Sequence, residues 1–312
     1  LVKRSVINHT ASWLIRYAIP FCPAYSFQLT MCMGFGCNAA GVTGCRIIDS
    51  QRERLIAIIT NNFVPCNGRF PTLISIITMF FIGTSVGLWN SAGAAILLTG
   101  MILLGIAATF LVSKALTKTI LKGVPSSYTL ELPPYRSPQL GKVIVRSILD
   151  RTIFVLGRAV MIAAPAGLII WILGNVTADG ASLLWHIAGF LDPFARFIGL
   201  DGVILLAFIL GFPANEIVIP IVIMAYMQTG SIMELDLASL KALFIDNGWT
   251  WMTALCTMLF SLMHWPCSTT LLTIRKETQS WKWTGVSALI PTLAGIAVCA
   301  IVANAVRLLG LV

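Results

Sequence analysis

The chain has 312 residues, 57% of them hydrophobic and 11% charged, with mean hydropathy +0.89. That composition excludes an ordinary soluble domain and indicates a polytopic membrane protein. The net charge of +9 is the Lys and Arg excess that cytoplasmic loops collect, so it gives no ground for a nucleic-acid partner.

Leu1 to Arg16 is mixed and mildly basic, and reads as interfacial or as the tail of a truncated helix. No cleavable signal peptide precedes the first apolar stretch and Leu1 is not a start methionine, so a fragment or the second part of a longer or split protein is expected. Tyr17 to Cys45 is a long uncharged stretch, interrupted early by Pro20 and Pro23 and loosened late by Gly34, Gly36 and Gly41. Its centre, Gly34-Phe35-Gly36-Cys37-Asn38, predicts a helix that opens. Within a bilayer the freed backbone must face protein or a polar cavity. A basic connector, Arg46 to Arg54, follows, and then Leu55 to Val64, too short to cross alone. Pro65-Cys66-Asn67-Gly68-Arg69-Phe70-Pro71 is a second break. Phe70 to Ser113 carries no charge and reads as two crossings turning at Gly87 to Gly93, with Trp89 and Asn90 in the middle.

Lys114 to Arg151 is basic and is assigned to the cytoplasm. Glu131-Leu132-Pro133-Pro134-Tyr135 must be extended, and Gly141 to Asp150 suits an amphipathic surface helix. Ala159 to Ala178 reads as a span and Ser182 to Leu200 as an outer interfacial segment. Gly202 to Met227 is apolar, with Gly211-Phe212-Pro213-Ala214-Asn215-Glu216 in its middle. Charge sidedness asks that this piece re-enter as a hairpin. Gly230 to Gly248 is an acidic connector. Trp249 to Ile274 is broken near His264-Trp265-Pro266-Cys267, and Arg275, Lys276 and Lys282 return to the cytoplasm before the last span, Trp283 to Val306. About eight membrane segments result.

A repeat is visible. Gly34-Phe35 with Asn38 matches Gly211-Phe212 with Asn215, and each is followed by a connector and a Pro-Cys break, Pro65-Cys66 or Pro266-Cys267. The connectors have opposite charge, which predicts an inverted pair. The fold class is therefore all-α, an inverted repeat of broken or re-entrant helices. The expected divisions are 1–113, a first repeat with its flank, 114–150, a cytoplasmic linker, and 151–312, a second repeat with the C-terminal helices.

Three of the eight cysteines, Cys37, Cys66 and Cys267, stand at breaks, and no CxxC pair points to a disulfide framework or a structural zinc site. Thiolates suit soft or borderline transition metals. His264 lies three residues before Cys267. Alone, each cysteine reads as packing, each proline as a kink and His264 as a bond to a nearby carbonyl. Their co-occurrence at matching places favours a metal path. Cys22, Cys256 and Cys299 read as packing, and Cys32 and Cys45 stay unassigned. Glu216, the acid inside an apolar run, reads as a cation ligand or gate, or as a structural ion pair. Asn215 offers a carbonyl oxygen. Arg69 pins an unwound carbonyl or pairs with Glu216. No phosphate-binding G-x-x-x-x-G-K-[ST] loop and no nucleophile–base set is present in the sequence, so no enzyme is expected.

Together these motifs resemble the ferrous iron transport protein B (FeoB) family. The resemblance rests on Gly34 to Asn38 with Arg46 and Arg52-Glu53-Arg54-Leu55, on Pro65 to Pro71, on Glu131 to Arg136, on Pro213 to Val218, and on Pro266-Cys267 with Arg275 to Trp283. It implies a membrane permease with two gate repeats, shaped at Gly34, Gly36, Pro65, Arg69, Pro71, Gly211, Pro213 and Pro266. It implies a bacterial or archaeal cytoplasmic (inner) membrane and Fe2+ as transported substrate, passed inward among Cys37, Asn38, Cys66, Asn215, Glu216, His264 and Cys267. No permanently bound cofactor is implied. GTP and Mg2+ belong to a GTPase domain absent from this sequence, supplied by a missing segment or separate chain; a small cytosolic accessory protein and a homo-oligomer are further partners the resemblance leaves room for, beside the lipid bilayer. Ala39-Ala40 stands where the family usually has Val-Pro, and Pro65 replaces a usual serine. Alternatives are Mn2+, Zn2+ or nucleoside transport on the same fold, or a non-transporting membrane partner subunit.

Overall fold

The computed structural model describes residues 25–82, 87–121, 141, 144–145, 153–178, 180–231 and 235–310. The expectations for Leu1 to Arg16, for Cys22 and for Glu131 to Tyr135 lie outside these residues, and so does most of Gly141 to Asp150.

The first repeat opens with α1 (Tyr25–Gly36) and α2 (Asn38–Gly44), separated by the extended residue Cys37. The described part of this stretch, from Tyr25 to Cys45, is not one continuous helix. The end of α2 lies back beside the middle of α1, since a Cβ on Gly44 would meet Met33 Sδ at 2.8 Å. Next come α3 (Gln51–Thr60), the Pro65-Cys66 break and α4 (Phe70–Ile76), which continues as a π-helix, Ile77–Ile82. The long helix α5 (Leu88–Lys118) follows. It begins directly after Gly87, so Trp89 and Asn90 belong to its first turn rather than to a connecting loop. It also runs through Lys118, so the linker expected from 114 starts later.

The second half begins with α6 (Phe154–Asn175), a two-residue antiparallel ribbon of β1 (Thr177–Ala178) with β2 (Ala181–Ser182), and the amphipathic α7 (Leu183–Phe197). The span expected to Ala178 thus ends at Asn175. α8 (Gly202–Leu210) turns away from α7 by 108°. Gly199 supplies a left-handed φ of +79° at the bend, and a Cβ on Gly202 would sit 1.9 Å from the Ala188 carbonyl oxygen. After the Gly211 to Ala214 break, α9 (Val218–Met227) returns. The Tyr226 hydroxyl donates to Asp201, which caps the start of α8, so the two ends of this hairpin share one level. Gly202 to Met227 is the re-entrant hairpin that charge sidedness asked for. The acidic connector contains α10 (Leu237–Asp246), capped by Asp236. Then come α11 (Trp251–Met263), the His264 to Cys267 break, α12 (Ser268–Thr278) and α13 (Trp281–Leu308).

Among the described residues, α5 and α13 are long and apolar enough to cross a membrane unbroken, and the bent pair α7–α8 qualifies as a third. α6 is one continuous apolar helix, and the other membrane segments described are half-helices. Their buried faces form one large core around α8, α9 and α11 and a smaller one around α1, α2 and α3. Leu103 on α5 and Ile301 on α13, 59% and 69% exposed, mark the lipid-facing surface.

Charge divides the molecule into two faces. Arg46 bonds Glu277, and Arg52 donates to the Leu121 carbonyl, so the first connector and the ends of α5 and α12 share one basic face. Asp192, Asp201, Tyr226 and Trp249 gather at the other, here termed the acidic face although Arg196 pairs with Asp192 there and Arg307 donates to the Arg196 carbonyl. The α1–α2 hairpin opens toward the basic face and the α8–α9 hairpin toward the acidic one, as an inverted pair requires.

Candidate functional site

The hairpin breaks of the two repeats are linked through the Pro-Cys breaks: Asn38 meets Asn62, Asn62 reaches the His264 carbonyl, and the His264 ring meets Asn215. Cys37 has φ −156° and ψ 126°, and Ala214, its counterpart, has −150° and 123°. Cys66 and Cys267 likewise have −81°, 166° and −61°, 158°. Equivalent residues thus break the helix with the same backbone geometry in both repeats. Each of the three cysteines stands at the N-terminal cap of a half-helix or of its leading turn. Cys66 is buried, Cys267 half-buried and Cys37 exposed. The thiols of Cys37 and Cys66 lie within electrostatic range of Cys267, and Arg69 within range of Cys66 and Cys267. Cys267 Sγ is 3.2 Å from Thr270 Oγ1. Among the described residues no three His, Cys, Asp or Glu side chains converge closely enough to hold a metal by themselves.

Freed backbone groups are paired across the breaks. Ser268 N–H donates to the Phe212 carbonyl at 2.9 Å, which ties the two breaks of the second repeat together. In the first repeat Asn61 Nδ2 donates to the Asn38 carbonyl at 3.0 Å. Asn38 Nδ2 reaches Asn62 Oδ1 at 3.3 Å; turned over, the same amide donates to the Gly34 and Val64 carbonyls at 3.1 and 3.3 Å. The turned orientation is the one in which Asn38 serves backbone carbonyls beside the breaks.

Arg69 joins the repeats. It is fully buried, and its Nη1 donates to the carbonyls of Asn62 and Leu262 at 2.9 and 2.8 Å, while Nη2 donates to Asn62 Oδ1 at 3.1 Å. Asn62 Nδ2 donates in turn to the His264 carbonyl at 2.7 Å. A planar guanidinium is suited to this work because its donors are fixed in a fork. Arg69 therefore pins unwound carbonyls, and the alternative pairing with Glu216 does not occur.

His264 is buried, with Nδ1 placed 2.9 Å from the Ser261 carbonyl and 3.1 Å from that of Phe260. Both neighbours accept, so the ring proton sits on Nδ1 and the neutral ring leaves a lone pair on Nε2. Nε2 lies 3.3 Å from Asn215 Oδ1, and with the proton on Nδ1 the two side chains form a hydrogen bond only when the Asn215 amide is turned so that Nδ2 donates. A backbone carbonyl on one ring nitrogen is the arrangement that orients histidine as a metal ligand through the other.

The remaining predicted residues divide. Gly34 makes room for Asn61, and Gly211 for Val218 and the Ala207 carbonyl. Pro71 begins α4 and is exposed, while Pro65 and Pro266 are buried beside their cysteines. Pro213 presents its carbonyl to Ser268 Oγ at 3.5 Å. Gly36 faces open space, so packing does not demand a glycine there. Glu216 is exposed, and among the described residues it has no hydrogen bond or ion pair with which to join the cluster. Asn61 and Asn62 were missed by the motif reading. Their signal was two adjacent amides closing an apolar segment just before a Pro-Cys break.

Cross-membrane broken helices in inverted repeats, with polar side chains at the breaks, define an all-α polytopic membrane protein of gate type. Residues 98–150 match the family described as "Ferrous iron transport protein B C terminus", and residues 156–281 the one described as "Nucleoside recognition". A protein of Staphylococcus aureus named "Fe(2+) transporter FeoB" is 29% identical over 273 residues, covering 84% of this chain and 38% of that protein. Proteins of the same name from Methanocaldococcus jannaschii and Synechocystis are each 28% identical over 269 residues, covering 82% and 85% of this chain and 37% and 41% of their own. These matches bear out the resemblance carried by the motifs: over most of its length the chain is similar to the C-terminal part of ferrous iron transport protein B family members. The chain spans less than half the length of these curated relatives. No solved structure matches it.

Proposed function

We propose that the chain is the membrane permease part of a ferrous iron transporter and that Fe2+ crosses at the layer of helix breaks. The observation that carries this reading is the pair of matching breaks, where thiols, a histidine ring nitrogen and asparagine amides occur in one layer between the two faces. The basic face is cytoplasmic by the excess of Lys and Arg, and the membrane is the cytoplasmic (inner) one. Fe2+ enters from the acidic side.

Fe2+ is a borderline cation that accepts sulfur, imidazole nitrogen and carbonyl oxygen. In this reading it is passed along the breaks rather than stored. His264 Nε2 and Asn215 take it from the second hairpin, Cys66 and Cys267 hold it with water, and Cys37 and Asn38 release it. Transient ligation of this kind matches the need of a path to bind strongly enough to admit an ion and weakly enough to let it go. Arg69 sits beside the thiols as a fixed fork that holds the backbone of both breaks in place. Glu216, exposed at the edge, collects Fe2+ rather than ligating it at the centre. A GTPase segment or partner chain supplies energy coupling in this reading.

The test is anaerobic Fe2+ uptake into proteoliposomes by the parent chain and by Cys37→Ser, Cys66→Ser, Cys267→Ser and His264→Gln. The reading expects uptake by the parent that falls about tenfold or more in Cys267→Ser. Uptake unchanged in all four variants would move the path away from the breaks.

A further inference from the structure

The half-helices that carry two of the thiols also carry a charge pair at their far ends. α2 begins at Cys37 and leads, through one short turn, to Arg46; α12 begins at Cys267 and leads to Glu277 in its last turn. The two helices pack side by side. Cys37 and Cys267 are near one another at one end, and Arg46 and Glu277 meet at the other, so the helices run parallel. α12 has 11 residues, a length of about 16 Å at 1.5 Å per residue, or about half the hydrocarbon thickness of a bilayer. The thiols therefore stand near mid-depth and the charge pair at the basic surface, with the two half-helices between.

The pair is bidentate, with Arg46 Nε to Glu277 Oε2 at 2.7 Å and Nη2 to Oε1 at 2.6 Å. It joins residues 231 positions apart, one in each repeat. Its two members are unequally hydrated: the Arg46 side chain is 60% exposed and that of Glu277 only 9%. An exposed ion pair contributes little. A nearly buried carboxylate without its partner is a different matter, because it must regain water. Here water reaches it when the half-helices separate. We infer that the Arg46–Glu277 pair is the closed latch of the basic-side exit, holding α2 against α12 beneath the thiols. Parting of the pair opens a hydrated way from Cys37 and Cys267 to the basic face. This inference rests on the reading of the break layer as a path, but it concerns access and does not require that iron be the ion that passes.

The test reads access directly. The full chain is reconstituted, and Cys267 is labelled with a membrane-impermeant methanethiosulfonate reagent applied from the basic face, with the other cysteines replaced by serine or alanine. Arg46→Gln and Glu277→Gln are expected to raise the labelling rate about fivefold or more, the scale of a modest coupling between two states. The exchanged pair, Arg46→Glu with Glu277→Arg, is expected to restore the slow parental rate. Unchanged labelling in both neutralised variants, with the proteins eluting as the parent does in detergent, would overturn the latch. So would fast labelling that the exchanged pair fails to slow, since the effect would then come from the positions and not from the charges. An Arg46→Cys, Glu277→Cys disulfide should hold labelling at or below the parental rate and release it when reduced; free labelling in the oxidised state counts against the latch. Loss of iron uptake in the parent would remove the transport reading while leaving these rates to decide the latch.

Discussion

Asn61 makes the packing of the first hairpin depend on two glycines. A Cβ on Gly34 would lie 2.7 Å from Asn61 Oδ1, and one on Gly41 would lie 2.5 Å from it. The oxygen has no hydrogen-bond donor and points instead at the Cα hydrogens of those glycines, a weak contact of a kind that recurs at close helix approaches. Gly41→Ala is expected to destabilise the fold by about 1–3 kcal/mol, as overpacking does. Asn61→Ala in the same chain should recover part of that loss, and a double-mutant cycle of thermal unfolding in detergent would show the coupling. Arg69 is the second residue on which much rests. Arg69→Lys keeps the charge but cannot reproduce a fork that bonds both repeats. With charge-assisted bonds worth about 1.5–3 kcal/mol each, the substitution should cost about 2–4 kcal/mol and lower the unfolding temperature visibly. Thermal stability equal to the parent would mean that the fork does not join the repeats. These two roles differ in how far they could be read from residues alone. Arg69 stood out because a cation beside a Pro-Cys break has few reasons to be there. Asn61 did not, because the glycines it touches are 27 and 20 positions away and only the folded hairpin brings them together.

Half-helices are the working elements of this fold, and their starts are set by capping. Ser50, Asp201, Asp236 and Thr250 each accept a bond from a backbone amide at a helix N-terminus. Asp236, fully hydrated in the connector, accepts from Ala238 and Ser239, and those bonds to the Ser239 side chain and backbone hold its carboxyl below the usual carboxylate range. A depressed folded value means that the carboxylate supports α10 above the unfolded pKa of about 3.9 and that this support is lost as pH falls through the lower folded value. Hydrogen exchange at Ala238 and Ser239 should accordingly be faster in Asp236→Ala than in the parent at pH 7, with the difference shrinking as the pH is taken below the unfolded carboxylate value. A difference that stays constant throughout the acid range would show a role other than charge-assisted capping. The breaks themselves were legible, because Gly-Cys-Asn and Pro-Cys have few uses inside an apolar run. Their geometry was not. Nothing in Tyr17 to Cys45 says that α2 turns back beside α1, since a continuous crossing has the same composition. The end of the turn before α5 was misplaced for a related reason: Trp89 and Asn90 are polar enough to read as a loop, yet they fit the first turn of a helix at an interface.

At the scale of the molecule, contacts gather the ends of each repeat on separate faces. The first connector and the end of α12 meet through Arg46 and Glu277, and the ends of the second hairpin meet through Asp201 and Tyr226. The opposed connectors therefore served as a sound guide to an inverted pair, because loop charge reports side without needing any side-chain contact. The arrangement predicts that cysteines introduced at Lys276 and at Asp246 label from opposite faces of sealed vesicles. Labelling of both from one face would contradict the inverted pair. The inter-repeat tie of Asn62, Arg69 and His264 was beyond the sequence, because it depends on how the halves dock.

The central claim is that the thiols of both repeats take part in ligating a cation in transit. Cobalt(II), a spectroscopic stand-in for Fe2+, reports thiolate ligation through a sulfur-to-metal charge-transfer band. Anaerobic titration of the purified chain with Co2+ should give that band, weakened in Cys66→Ser and nearly lost in Cys267→Ser and in the Cys37, Cys66 and Cys267 triple serine variant. A band of undiminished intensity in the triple variant would place the metal elsewhere and contradict the account.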